Sequence, residues 1–155
     1  MRTIKFRGKR VNRNNEWSYG DLRQINGECF VFPQTYDAAC DRDKVYPDTV
    51  GQFTGYFDNN GNEIYEGDVI KVLHSFTLSF GAKHNRKIRG AYDEEWSKTD
   101  WGEDAVTYFR NYRIELGKRG SWIGRNGSVQ HPLRNLFGFL IGNIHDNPEL
   151  MKKND

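Results

Sequence analysis

Gly51-Gln-Phe-Thr-Gly55-Tyr-Phe-Asp58-Asn-Asn60-Gly61-Asn-Glu-Ile-Tyr-Glu66-Gly67-Asp68-Val-Ile-Lys-Val-Leu73 decides the fold. It holds two turn signals and one strand. Asn60-Gly61 predicts a type I′ hairpin turn, because both residue types readily take positive φ. Glu66-Gly67-Asp68 predicts a second bend, and Val69-Ile70-Lys71-Val72 has strand composition. The chain is expected to leave the core at Gly55, turn at Asn60-Gly61 and dock Ile64 and Tyr65. It then bends at Gly67 and enters the sheet.

Outward from this stretch, strand patterns recur. Thr3 to Arg7 alternates with period two, Trp17, Tyr19 and Leu22 restart the pattern, and Ile25-Asn26-Gly27-Glu28 predicts a hairpin turn into Cys29-Phe-Val-Phe32. The polar run from Gln34 to Lys44 predicts a loop. Val69 to Phe80 predicts one long strand or two. Val106 to Phe109 and Tyr112 to Leu116 have strand composition, and Gly117 to Gly127 predicts a basic turn region around Trp122. Asn147-Pro148-Glu149 predicts a short terminal helix with Asn147 as its N-cap. The expected fold is mainly β: a twisted antiparallel sheet or small barrel, partly SH3-like, with a short C-terminal helix. The SH3 comparison rests only on the Gly-Asp step before a hydrophobic strand.

A chain of 155 residues predicts a single domain over 1–155. The charged stretch around 81–104 predicts a mobile insertion, with a short helix near Asp93 to Lys98. Hydrophobic residues make up 36% and mean hydropathy is −0.86, so aromatics at 14% must supply much of the core. Net charge is +2 and there are two cysteines, Cys29 and Cys40. Two thiols do not make a disulfide framework. The opening Met1-Arg-Thr-Ile-Lys-Phe-Arg7 has no apolar segment, and no apolar run reaches about 18 residues. These features predict a cytoplasmic protein with reduced thiols and no membrane partner.

Chemical motifs are sparse. Asp58, Asn60, Asn62 and Glu63 invite a calcium reading, but the glycine and glutamate spacings of an EF-hand loop fail. Glu66 and Asp68 flank Gly67 as a carboxylate pair, for which a structural role at the bend is favoured. His74, His84, His131 and His145 form no metal-ligand spacing with one another or with cysteine. His145-Asp146 is a dyad in sequence alone. No nucleophile elbow, phosphate loop or cofactor motif is present. The reading is therefore of a non-enzyme without metal or cofactor. The alternative is a nucleic-acid-binding module, with Lys5, Arg7 and Arg10 in one basic segment (2–13) and Arg110, Arg113, Arg119 and Trp122 in another (108–134).

Three segments carry a resemblance. Tyr56 to Ile70 resembles the signature of the YopX-like family of phages and prophages. Ile4-Lys-Phe-Arg-Gly-Lys-Arg10 with Trp17-Ser-Tyr-Gly-Asp-Leu22 resembles its opening, and Ile141-Gly-Asn-Ile-His-Asp-Asn-Pro-Glu-Leu150 its close. Val45 to Thr54 fits the lead-in. The departures are His74 to Asn135, and His145 where an aromatic is usual. The resemblance implies a phage or prophage accessory protein whose activity is uncharacterised and whose motif residues Gly55, Asp58, Asn60, Gly61, Glu66, Gly67 and Asp68 are structural.

One further expectation concerns Leu136, Phe137, Phe139, Leu140, Ile141 and Ile144. A run apolar on both faces predicts a central strand covered on each side, one cover being a core built by Ile4, Phe6, Val69 and Val72. A terminal helix this short covers little, so the second cover is expected to be another subunit, which makes the protein a homo-oligomer.

Overall fold

The computed structural model describes residues 3–14, 16–33, 42–78, 92–98 and 104–152. The expected insertion falls largely outside these residues, as do Cys40 and His84. By contacts the chain divides into two compact units. Met1–Phe57 with Glu63–Gly67 form the first, and Asp58–Asn62 with Asp68–Asp155 the second.

The first unit is one antiparallel sheet of six strands: β1 (Phe6–Lys9), β2 (Trp17–Ile25), β3 (Glu28–Phe32), β4 (Asp43–Val45), β5 (Gly51–Phe57) and β6 (Glu63–Tyr65), in the order β4-β3-β2-β1-β5-β6. The β2–β3 turn is the one its Asn-Gly pair predicts, with Asn26 at φ 51° and Gly27 at φ 80°. Cys29, Val31 and Val45 form the core, joined by Leu22 and Val50. The fully buried Val31 and Val45 each contribute about 1.5–3 kcal/mol on burial. Gly8 lies under this core, and a Cβ there would sit 2.8 Å from Val45. In β5, Gly55 takes φ 82°, and the pairing with β6 shifts register between Phe53 and Phe57. This is the geometry of a bulge.

The second unit is built on a long antiparallel pair, β7 (Asp68–Leu78) and β9 (Asp104–Leu116), matched from Val69↔Arg113 to Leu78↔Asp104. With β10 (Trp122–Asn126), β11 (Val129–Pro132) and β12 (Gly138–Asn143) the order is β11-β10-β9-β7-β12, and β8 (Tyr92–Lys98) also pairs with β9. One face buries Ile70, Tyr112, Ile114 and Trp122. Gly124 sits in that face with no room for a side chain, since a Cβ would lie 2.4 Å from Leu136. Leu133, in the 3-10 turn Leu133–Asn135, is also buried.

The chain is mainly β, as expected, and both sheets are open, so of the two architectures foreseen the sheet holds and the barrel does not. Several local expectations are corrected. Asp93 to Lys98 is strand, not helix, because the first half of β9 offers a row of backbone groups that β8 satisfies. The basic stretch around Trp122 is strand β10 rather than turn, flanked by turns at Gly120 and Gly127. The terminal helix is a 3-10 turn, Pro148–Met151, and the Asn147 side chain does not cap it.

The strand expected to be central, β12, lies at the sheet edge and, among the described residues, pairs only with β7. Its other edge meets a hairpin tip instead of a strand: the Asn59 N–H donates to the Gly138 carbonyl at 3.0 Å. Phe137 and Phe139 are 74% and 45% exposed, and Ile4 is 62% exposed rather than part of a core.

Candidate functional site

The central motif is explained residue by residue. Asp58 Oδ1 accepts the N–H groups of Asn60 and Asn62 at 2.9 and 2.8 Å, and Oδ2 accepts Asn62 Nδ2 and the Leu140 N–H, both at 3.0 Å. Gly61 N–H closes the turn on the Asp58 carbonyl, and Gly61 alone takes positive φ (83°). The turn is therefore not type I′. The Asp58 carboxylate holds Asn60 in an Asx turn, and that local bonding overrides the Asn-Gly preference. Four donors occupy this carboxylate, the outcome opposed to a calcium loop. Burial alone raises the Asp58 pKa, and the hydrogen bonds outweigh it to leave a value below the usual 3.8.

Glu66 acts through its backbone. Its N–H donates to Gln52 and its carbonyl accepts Arg7 Nη2 at 3.4 Å, while a Cβ on Gly51 would lie 2.5 Å from that carbonyl. Gly67 makes the bend at φ 83°. Asp68 is 1% exposed and stands opposite Asn143. His145 and Asp146 lie in a turn after β12 rather than on a strand, and both backbone N–H groups donate to Asn143 Oδ1 at 2.9 Å.

The basic candidates fall into both units. In the first, Lys5 pairs with Glu63 at 2.7 Å, and Glu63 also accepts the Tyr65 hydroxyl at 2.6 Å. Burial, then this carboxylate, pushes the Tyr65 pKa far up. Arg7 is 5% exposed, with its guanidinium 4.4 Å from the Trp17 ring and 5.0 Å from the Tyr65 ring. Arg10 pairs with Asp43 at 2.9 Å. In the second unit Arg110 and Trp122 are each 7% exposed, Arg113 is bound to Glu115, and Arg119 is exposed.

Sequence reading missed one cluster. His74 on β7 stacks on Tyr108 with centroids 5.2 Å apart, and its Nε2 meets the Tyr112 hydroxyl at 3.0 Å. Arg110 Nη1 donates to the same hydroxyl at 3.4 Å, and the His131 ring is 6.3 Å from that of His74. The arrangement is satisfied when Tyr112 donates to a neutral His74. Burial lowers the His74 pKa first, and Arg110 and His131 add to the effect. Burial raises that of Tyr112, against the opposing pull of Arg110. The alternation Tyr108-x-Arg110-x-Tyr112 put these three on one strand face. Only the pairing of β7 with β9 brings His74 to them. Among the described residues no group of three or more His, Cys, Asp or Glu is placed to hold a metal ion, and no helix is long and apolar enough to cross a membrane.

The fold and the motif define a two-sheet antiparallel β protein organised on a carboxylate-bound turn. The chain belongs to the YopX protein family, which it matches over residues 5–152. No curated protein and no solved structure matches it.

Proposed function

We propose that this is an accessory protein of a phage or prophage that works in the host cytoplasm by binding rather than catalysis, and that it self-associates. The observation that carries this reading is an uncovered apolar surface on the second unit. Leu73 (57% exposed) and Phe139 (45%) lie on one face of the sheet, because Phe139 stands opposite Lys71 on β7. Phe109 is opposite Leu73, and Phe137 (74% exposed) immediately precedes β12.

Part of the charge on this face is held in local contacts. Arg113 and Arg125 are both bound to Glu115, and Lys71 Nζ lies 4.0 Å from the Phe109 ring centre. Three cations against one carboxylate leave this face a surplus of two positive charges, exposed and screened by salt, so it is the apolar area of Leu73, Phe109 and Phe139 that two copies would bury. The terminal 3-10 turn reaches the face through Asn111 Nδ2, which donates to the Leu150 carbonyl at 2.9 Å, yet it leaves Phe139 uncovered. The outer edge of β12 is occupied by Asp58 and Asn59, so packing face to face is favoured over strand addition.

Light scattering after size exclusion tests the reading. A dimer or larger species is expected, and Leu73→Lys with Phe139→Lys is expected to yield a folded monomer. A wild-type monomer at about 100 μM overturns it, since a standard interface of roughly 800 Å² per partner holds well below that concentration.

A further inference from the structure

We propose that the outward sheet face of the first unit binds single-stranded nucleic acid. This inference is independent of self-association, which uses residues of the second unit. Strand register places alternate residues of β2 on this face, with Arg7 opposite Tyr19 and Lys9 opposite Trp17. Arg23 lies opposite Phe30, and Asp21 opposite Phe32. The other face holds the Cys29, Val31 and Val45 core.

Rings and cations interleave across the outward face. Arg23 lies 4.6 Å from the Phe32 ring, Arg42 lies 5.0 Å from that of Phe30, and Lys9 lies 5.6 Å from that of Trp17. Tyr19 is 42% exposed and Phe57 58%, while Arg23 and Arg42 are both exposed. Bases stack on aromatic rings and on guanidinium planes alike, and an exposed guanidinium seated on a ring presents a pre-ordered plane of that kind. The accessible part of this face lies mainly on β2, β3 and β4, because Arg7, Phe53 and Tyr65, on the same side of β1, β5 and β6, are buried. Strand β2 alone runs nine residues, about 30 Å, a length suited to a few nucleotides.

Charge selects the occupant. Among the described residues Lys5, Lys9, Arg23, Arg42 and Lys44 share the face with the carboxylates Asp21, Glu28 and Glu63, and the Arg7 guanidinium is buried beneath it. The surplus of two accessible positive charges equals the net +2 of the entire chain. A polyanion is attracted to such a face. The exposed rings favour unpaired bases, since a duplex offers phosphates but keeps its base faces stacked inside.

Fluorescence anisotropy with labelled oligo(dT), oligo(rU) and a duplex of equal length, over a salt titration, tests the proposal. Binding to one or both single strands is expected, tighter than to the duplex and weakening as salt rises. The DNA and RNA arms show which strand is preferred. Arg23→Glu with Arg42→Glu should lower the affinity at least about tenfold and flatten the salt slope. Tyr19→Leu, which keeps apolar area but removes the ring, should weaken binding with the salt slope unchanged. Circular dichroism establishes that each variant is folded, and Arg119→Glu, on the second unit, should bind as wild type. The proposal is overturned by no binding to either single strand at low salt. It is also overturned by equal binding to the duplex or to polyglutamate, or by an Arg119→Glu loss matching that of the double variant.

Discussion

Asp58 and Leu140 stand 82 positions apart, and the Leu140 N–H donates to Asp58 Oδ2 at 3.0 Å. This bond joins the turn of the central motif to the outer edge of β12. It also sets the demand on residue 58: an acceptor with two oxygens, ionised, short enough to serve its own turn and a distant strand at once.

Replacing Asp58 with Ala removes the acceptor for three backbone N–H groups and the Asn62 amide. The expected loss is about 2–4 kcal/mol, since bonds to a charged group are lost and buried donors are left without partners. Urea denaturation measures it, and a loss under about 0.5 kcal/mol would remove Asp58 from its role.

Two glycines separate backbone strain from packing. Gly61 has positive φ and open space where a side chain would go, whereas Gly124 faces Leu136 at 2.4 Å and Tyr112 at 3.0 Å. Gly61→Val should cost about 1–2 kcal/mol through φ alone. Gly124→Val should cost more than Gly61→Val, because overpacking typically adds about 1–3 kcal/mol for a smaller intrusion. Equal unfolding midpoints for the two variants would contradict this account.

Acid should destabilise the protein through three carboxylates. For Asp58, Glu63 and Glu115 burial raises the pKa, and hydrogen bonds or ion pairs more than offset it, so each lies below its ordinary value of 3.8 or 4.5. The unfolded chain then binds these protons first. Their stabilisation is present above about pH 4.5 and is lost as pH falls through the folded values. Urea midpoints should be flat in this respect from neutral pH down to that point and then drop. Asp58→Asn should have a shallower drop than wild type, and an identical one would assign the acid limb to other groups.

What the sequence revealed was local. Asn26-Gly27 is read correctly because nothing nearby competes with its turn preference. Asn60-Gly61 is misread because Asp58, two residues upstream, imposes an Asx turn. The strand after Gly67 is legible from Val69 to Val72, but the position of β12 is not. Its apolar residues suggest cover on both sides, while its place at an edge depends on Asp58 and Asn59 arriving from elsewhere in the chain. Arg7 reads as a solvent-facing cation by alternation. It is buried because Trp17 and Tyr65, on two other strands, close over its guanidinium. Each failure is a contact of long sequence separation, for which periodicity carries no signal.

The His74 cluster predicts a second pH dependence, at milder acidity. In the folded chain burial disfavours the imidazolium, and Arg110 and His131 repel it, so the His74 pKa is below 6.5. A base with a depressed folded pKa is protonated more readily in the unfolded state, so its contribution is complete above about pH 6.5 and declines as pH falls below it. The decline ends at the folded value, and its slope cannot exceed about 1.4 kcal/mol per pH unit for one group. Protonation also removes the Nε2 lone pair that accepts the Tyr112 hydroxyl proton. His74→Gln leaves an oxygen able to accept that proton and abolishes the titration. Stability of the wild type should fall between about pH 7 and pH 5.5 while that of His74→Gln changes less. Equal slopes in the two proteins would place the titrating group elsewhere.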